Sequence, residues 1–159
     1  MFPGPQKEHN WLDKFVGEWT SESECSMGPD QPLMKTKGVD FVRSIGGLWI
    51  VAEGEGQMPG GESAKSIMTI GYDPQQQRYV GTFIASMMSY LWIYNGSLDA
   101  AEKVLTLDAD GPDFTGKKTA KYKDRIEFVD DNHRILTSQV LGEDGTWTQF
   151  MTVHYRRKP

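Results

Sequence analysis

Clusters of Gly, Pro, Asn and Asp interrupt this chain about every ten residues, and short apolar or alternating runs lie between them. That spacing marks an all-β sandwich or barrel, because each cluster can turn the chain and each run has the length of one strand. From Gly17 onward it predicts about ten strands, near residues 17–27, 34–45, 48–57, 64–72, 78–86, 89–97, 103–108, 118–129, 134–141 and 147–157. Gly46-Gly47 reads as a tight hairpin turn, since glycine accepts the positive φ that such turns demand. Tyr72-Asp73-Pro74-Gln75 reads as a type I turn with proline in its second position. Asp130–His133 and Gly142–Gly145 read as hairpin tips, and Asp110–Lys117 as a loop. Strands joined this tightly are antiparallel neighbours, and a meander of about ten closes on itself because closure removes exposed edges. The expected fold is an antiparallel up-and-down β-barrel in one domain, with a tail over residues 1–9 and a short helix over 10–16 capping one end. Asn10 is the expected helix cap and Gly17 the stop.

At 159 residues the chain is long enough to bury its own core, and it carries a net charge of −5. No basic run exceeds Arg156-Arg157-Lys158, so a nucleic-acid partner is not expected. Cys25 is the single cysteine, which forbids an intramolecular disulfide and points to a reducing compartment. The first residues show no basic segment followed by an apolar one, and no apolar window approaches the roughly 18–20 residues of a membrane span. The cytoplasm is the expected location, with no membrane contact.

Alternation assigns faces to some strands. With Gly142–Gly145 as a turn, Val140 opposes Trp147 and Leu136 opposes Met151, which places these four inside with Val153, Tyr155 and Arg157. Thr148, Thr152, His154 and Arg156 then point outward. In the first strand Trp19, Ser21, Ser23, Cys25 and Met27 share the inner face, opposite Glu18, Glu22 and Glu24. Small inner residues after one tryptophan leave either space for a ligand or room that other aromatics fill. With Gly46-Gly47 as a two-residue turn, Asp40 faces Glu53 beside Val42, Val51 and Trp49, and that face is either outside or functional.

Gly17-Glu18-Trp19 opens the first strand and Arg157 ends the last. This resembles the calycin, lipocalin-like arrangement, in which a terminal basic side chain packs across the tryptophan ring. Trp19 and Arg157 are therefore the expected barrel closure, a cation–π contact worth about 0.5–2 kcal/mol. Over nearly the whole chain, Leu12–Trp19, Gly46–Trp49, Gly71–Pro74, Gly81–Phe83 and Tyr155–Arg157 resemble the bacterial family called domain of unknown function fifteen-seventy-nine. That resemblance implies a calycin-like fold and no established activity, and it carries over no catalytic residue.

Chemistry-bearing motifs are sparse. His9, His133 and His154 are far apart in sequence, without metal-ligand spacing, so no metal site is expected, and His133 reads as a solvated residue at a hairpin tip. Some lipocalin-like barrels resembling nitrobindin hold haem through a histidine near the C-terminus; the candidate is His154, which alternation turns outward. Ser44 and Ser86 lack a nucleophile elbow and Cys25 lacks a paired histidine, so no catalytic residue is assigned. Five Trp and eight Met suit an apolar pocket as well as a plain core. The candidate ligand-binding residues are Trp19, Ser23, Trp49, Glu53, Met68, Phe83, Met88, Trp92, Trp147, Met151 and Tyr155. Three functions are open: a barrel holding a small, mainly apolar ligand, an enzyme using a buried acid such as Glu53, and a filled barrel that assembles, as a homodimer for example.

Overall fold

The computed structural model describes residues 4–26, 31–58 and 60–159. A helix α1 (Lys7–Trp11) continues as a 3-10 turn (Leu12–Phe15), and ten strands follow: β1 (Gly17–Cys25), β2 (Met34–Ile45), β3 (Trp49–Gln57), β4 (Ser63–Asp73), β5 (Arg78–Ala85), β6 (Met88–Leu98), β7 (Val104–Pro112), β8 (Thr119–Asp130), β9 (His133–Leu141) and β10 (Trp147–Arg157). Each strand pairs antiparallel with its sequence neighbours, and β1 pairs with β10 to close the barrel. The predicted end of the first strand at Met27 lies outside the described residues. β7 runs on to Pro112, pairing with β8 through Gly111↔Ala120, so the expected loop begins only after it. Among the described residues no helix is long and apolar enough to cross a membrane.

The helix starts earlier than Asn10. Gln6 is the N-cap, and its backbone N–H donates to Nδ1 of buried His9 at 2.9 Å. Nε2 of that ring must then carry the proton, and it donates to the Tyr72 carbonyl at 3.0 Å. Asn10 is exposed in mid-helix, because the histidine supplies the local acceptor that a shorter helix would have needed from Asn10. Two turns of helix are marginal alone, and tertiary bonds hold them over one barrel mouth. Trp11 Nε1 donates to Glu102 O at 2.7 Å, Tyr79 Oη to Glu8 O at 2.8 Å, and Trp19 Nε1 to Phe15 O at 2.9 Å. Trp11, Phe15 and Phe128 pack edge to face beneath them.

Two irregularities reset faces. The β2–β3 turn holds three residues, Gly46, Gly47 and Leu48, with Ile45 opposite Trp49. One residue more than a Gly-Gly turn slips the register by one, which sends opposed residues to opposite sides. Asp40 therefore pairs with Gly54 and points inward, while Glu53 pairs with Phe41 and points outward beside Trp49. In β10 the register shifts between Gln149 and Met151, a bulge at Phe150. Beyond it Met151, Val153 and Tyr155 face the core as alternation predicts. Before it the parity reverses: Trp147 opposes Leu141 on the outside, under the Lys123 ammonium at 4.5 Å, and Val140 opposes Thr148.

At the seam, Arg157 lies over Trp19 with its guanidinium carbon 4.2 Å from the ring centroid. Its Nη1 donates to Val16 O at 2.7 Å, and Nη2 to Lys14 O at 3.0 Å and Asp131 O at 3.1 Å. One side chain thus ties the helical plug, the β8–β9 hairpin and the first strand together. Replacing Arg157 by alanine is expected to cost about 3 kcal/mol, from charged hydrogen bonds and one cation–π contact. Lysine should restore less than half, because it lacks the planar fork. Urea unfolding of the two variants, with slopes matching the parent, measures both.

Candidate functional site

Inner-face residues differ between the two halves of the barrel. On β1 to β5 they are small towards the open end: Ser21 and Ser23, Thr36 and Gly38, Gly54 and Gly56, Ala64 and Ser66, Ala85. A Cβ at Gly54 would come within 2.7 Å of Ser66 Oγ and 3.3 Å of Asp40 Oδ1, so any larger residue there would have to displace both side chains. On β6 to β10 the same level is filled. Trp92 lies across Gly111, donates from Nε1 to Met88 Sδ at 3.1 Å, and packs edge to face on Tyr90 and Tyr122; Phe150 and Phe114 extend the cluster. Small side chains facing a rigid aromatic wall leave a cavity of about 220 Å³ that runs from Phe15 of the plug to Met58 and Met87 at the open rim.

Five candidates from the sequence, Ser23, Met68, Phe83, Met151 and Tyr155, line this cavity. The other six do not. Trp19 is fully buried beneath the floor and roofed by Arg157. Met88 and Trp92 belong to the aromatic wall beside the cavity. Trp49 and Trp147 stand on the outer face, for the register reasons given above. Glu53 is also outside, in an ion pair with Arg43 and about half exposed. A buried acid at Glu53 is thus overturned, and the acid that is buried is Asp40. His154 faces outward as alternation predicts, but His133 is not merely solvated: its Nε2 and His154 Nδ1 are 2.9 Å apart, with the rings stacked. Burial and the nearby Arg156 charge lower the His133 pKa. Among the described residues no three His, Cys, Asp or Glu side chains converge as metal ligands would.

The floor of the cavity is polar. Arg134 is 4% exposed and Asp40 8%, and Arg134 Nη2 donates to Asp40 Oδ2 at 2.8 Å. The guanidinium carbon lies 4.0 Å from the Tyr155 ring centroid, 4.4 Å from Trp19 and 5.2 Å from Phe15. Burial raises the Asp40 pKa, and the Arg134 charge and hydrogen bond hold that rise back. Burial likewise pushes the Tyr155 hydroxyl up, and the Asp40 carboxylate adds to it, so the phenol keeps its proton at neutral pH. Behind the floor Asp124 accepts hydrogen bonds from Ser138 Oγ at 2.6 Å and Tyr94 Oη at 2.8 Å. Sequence alternation could have found Arg134, because a face carrying Leu136 and Val140 carries residue 134 as well. An isolated arginine at the start of a strand simply reads as a solvated end.

Asp124 gives a pH-dependent prediction. Its folded pKa is raised by burial, with the bonds from Ser138 and Tyr94 opposing. Folding therefore takes up a proton at this site: the charged form weighs against the folded state at neutral pH, and that penalty is relieved as pH falls through the folded value towards the ordinary ~4. Asparagine cannot titrate. The stability deficit of Asp124→Asn should be larger at pH 4 than at pH 7, as paired urea curves would show. A deficit that shrinks on acidification would mean the carboxyl is stabilised as an anion.

Three solved barrels are similar to the whole length of this chain. The crystal structure of Rv2717c from M. tuberculosis superposes with a TM-score of 0.67 at 9% identity, covering 98% of this chain and 99% of that one. The structure of EF1p2_mFAP2b bound to DFHBI gives 0.51 at 11% identity, with 95% and 99% covered. A fluorescence-activating β-barrel designed de novo gives 0.51 at 13% identity, with 92% and 95% covered. At these identities the likeness is one of fold. Among curated proteins none matches. The family model described as "Protein of unknown function (DUF1579)" matches residues 4–157, and the chain belongs to that family.

Proposed function

We propose that this protein binds a small ligand inside its barrel. The observation that carries the reading is the cavity itself: about 220 Å³, open at one rim, lined by apolar side chains such as Met68, Phe83, Leu136 and Met151, by small hydroxyls, and by Asp40, Arg134 and Tyr155. Ligand sites have that composition, since apolar walls supply affinity and a few placed donors fix orientation. A core needing only stability would fill the space, because a void forfeits contacts along its whole lining. Two barrels of the same fold support the reading: one was solved bound to DFHBI, and the other is fluorescence-activating. Haem is not proposed, since His154 faces away from the cavity and is engaged with His133.

Native mass spectrometry on protein taken directly from cells tests this. The parent should carry an excess mass that leaves on denaturation. Ser23→Phe, which fills the cavity from β1, should fold and carry at least tenfold less of it. Equal excess mass in both would place the bound molecule elsewhere and sink the reading.

One further observation favours pairing of two copies. Phe41, Ile67, Ile84 and Ile93 on the outer faces of β2, β4, β5 and β6 are each between 39% and 58% exposed. The Arg43–Glu53 pair sits among them, and a two-fold axis would present each charge to its opposite on the partner. Sedimentation should show a dimer that Ile84→Lys with Ile93→Lys reduces to monomer; a monomeric parent would rule it out.

A further inference from the structure

We propose that the ligand is electrically neutral, with an apolar body and one carbonyl-class acceptor that sits on the cavity floor against Arg134 and Tyr155. The proposal rests on the binding reading above and names the class of ligand it takes.

Donors dominate the floor. Arg134 can only donate, and its charge is already answered by Asp40 through Nη2. Its Nη1 is buried and has no hydrogen-bond partner among the described residues. Buried guanidinium N–H groups without an acceptor are rare, so this one marks a place where an acceptor is missing. The ring of Tyr155 lies against that guanidinium and the residue lines the cavity, so its hydroxyl is a second donor there. Both side chains line the cavity, so the acceptor that Nη1 lacks has to come from whatever enters it.

Charge then selects among acceptors. The floor holds one cation and one anion, and both are nearly fully buried. A carboxylate ligand would add a second anion beside Asp40 with only one guanidinium to share, in a site where water cannot screen the repulsion. A cationic ligand would meet Arg134. A ketone, ester or amide oxygen takes the two donors and leaves the charge balanced. Size limits the rest: the cavity is smaller than the roughly 300–1,000 Å³ of drug-sized sites, and Met68, Phe83, Leu136 and Met151 give it apolar walls.

Calorimetric titration of the full-length protein with three probes of similar shape tests this: butylbenzene, 4-phenylbutan-2-one and 4-phenylbutanoate. The ketone should bind about tenfold more tightly than the hydrocarbon, the size of one well-made hydrogen bond, and the carboxylate more weakly than the ketone. Tyr155→Phe keeps the ring against Arg134; it should remove most of the ketone's advantage over the hydrocarbon. As an independent readout, the Arg134 guanidinium resonances should shift with the ketone and not with the hydrocarbon. Equal binding of ketone and hydrocarbon would mean water holds the floor, and tightest binding by the carboxylate would mean the charge argument is wrong. Either result overturns this proposal while hydrocarbon binding keeps the cavity reading intact. Binding by none of the three would overturn both.

Discussion

The barrel depends on one seam, where its first strand meets its last, and Trp19 is the residue at which that seam is held. The ring is fully buried, donates to the plug through Phe15 O, and meets two guanidinium groups, Arg157 at 4.2 Å and Arg134 at 4.4 Å. A meander of neighbouring hairpins is built from local contacts everywhere except here, where residues about 140 positions apart must pair. An aromatic ring between cations suits that junction, because the contact is broad, tolerates small shifts and leaves the guanidinium N–H groups free for carbonyls. Arg157 uses its own on the plug and the β8–β9 hairpin. Arg134 turns inward, and its charge requires Asp40.

That requirement links closure to the cavity. Asp40 on β2 and Arg134 on β9 lie on either side of the β1–β10 pair, so their bond spans four strands around the seam. Glycine at 54, opposite Asp40, is what the carboxylate's position allows, and small residues continue from there to the rim. The aromatic wall of Trp92, Tyr122 and Phe150 holds the other half of the barrel apart. Space in this barrel is thus a consequence of how the two halves are filled, with the charged pair at the closed end and small hydroxyl side chains towards the rim.

Ten strands and their closure were legible in the sequence because turn chemistry and alternation agree along most of the chain. Where they disagreed, one residue decided the outcome. Leu48, apolar and followed by Trp49, reads as strand, yet it belongs to the turn; counting it there moves Asp40 inside and Glu53 out. Phe150 in β10 is the mirror case, since a bulge leaves no mark in an alternating run, and everything before it changes face. Met151, Val153 and Tyr155 lie after the bulge, which is why they were placed correctly while Trp147 was not. The polar floor was hidden for another reason. Asp40 and Arg134 are separated by more than half of the chain, and no local pattern announces a pair that exists only after closure.

The buried pair also bears on how closure picks its register. Two well-packed apolar side chains in place of Asp40 and Arg134 would hold the barrel together at least as well, because removing two charges from water offsets most of what their attraction returns. An apolar pair would, however, tolerate a slip of the β1–β10 pairing that keeps apolar surface inside. A charged pair does not: sliding the seam by one residue turns Tyr155 outward and its cross-strand partner Arg134 with it, so Asp40 is left buried with no cation to meet it. The wrong closures are penalised far more than the right one is favoured. Asp40, Arg134 and Tyr155 all line the cavity, so the same pair that fixes the seam also places the two opposite charges at its floor.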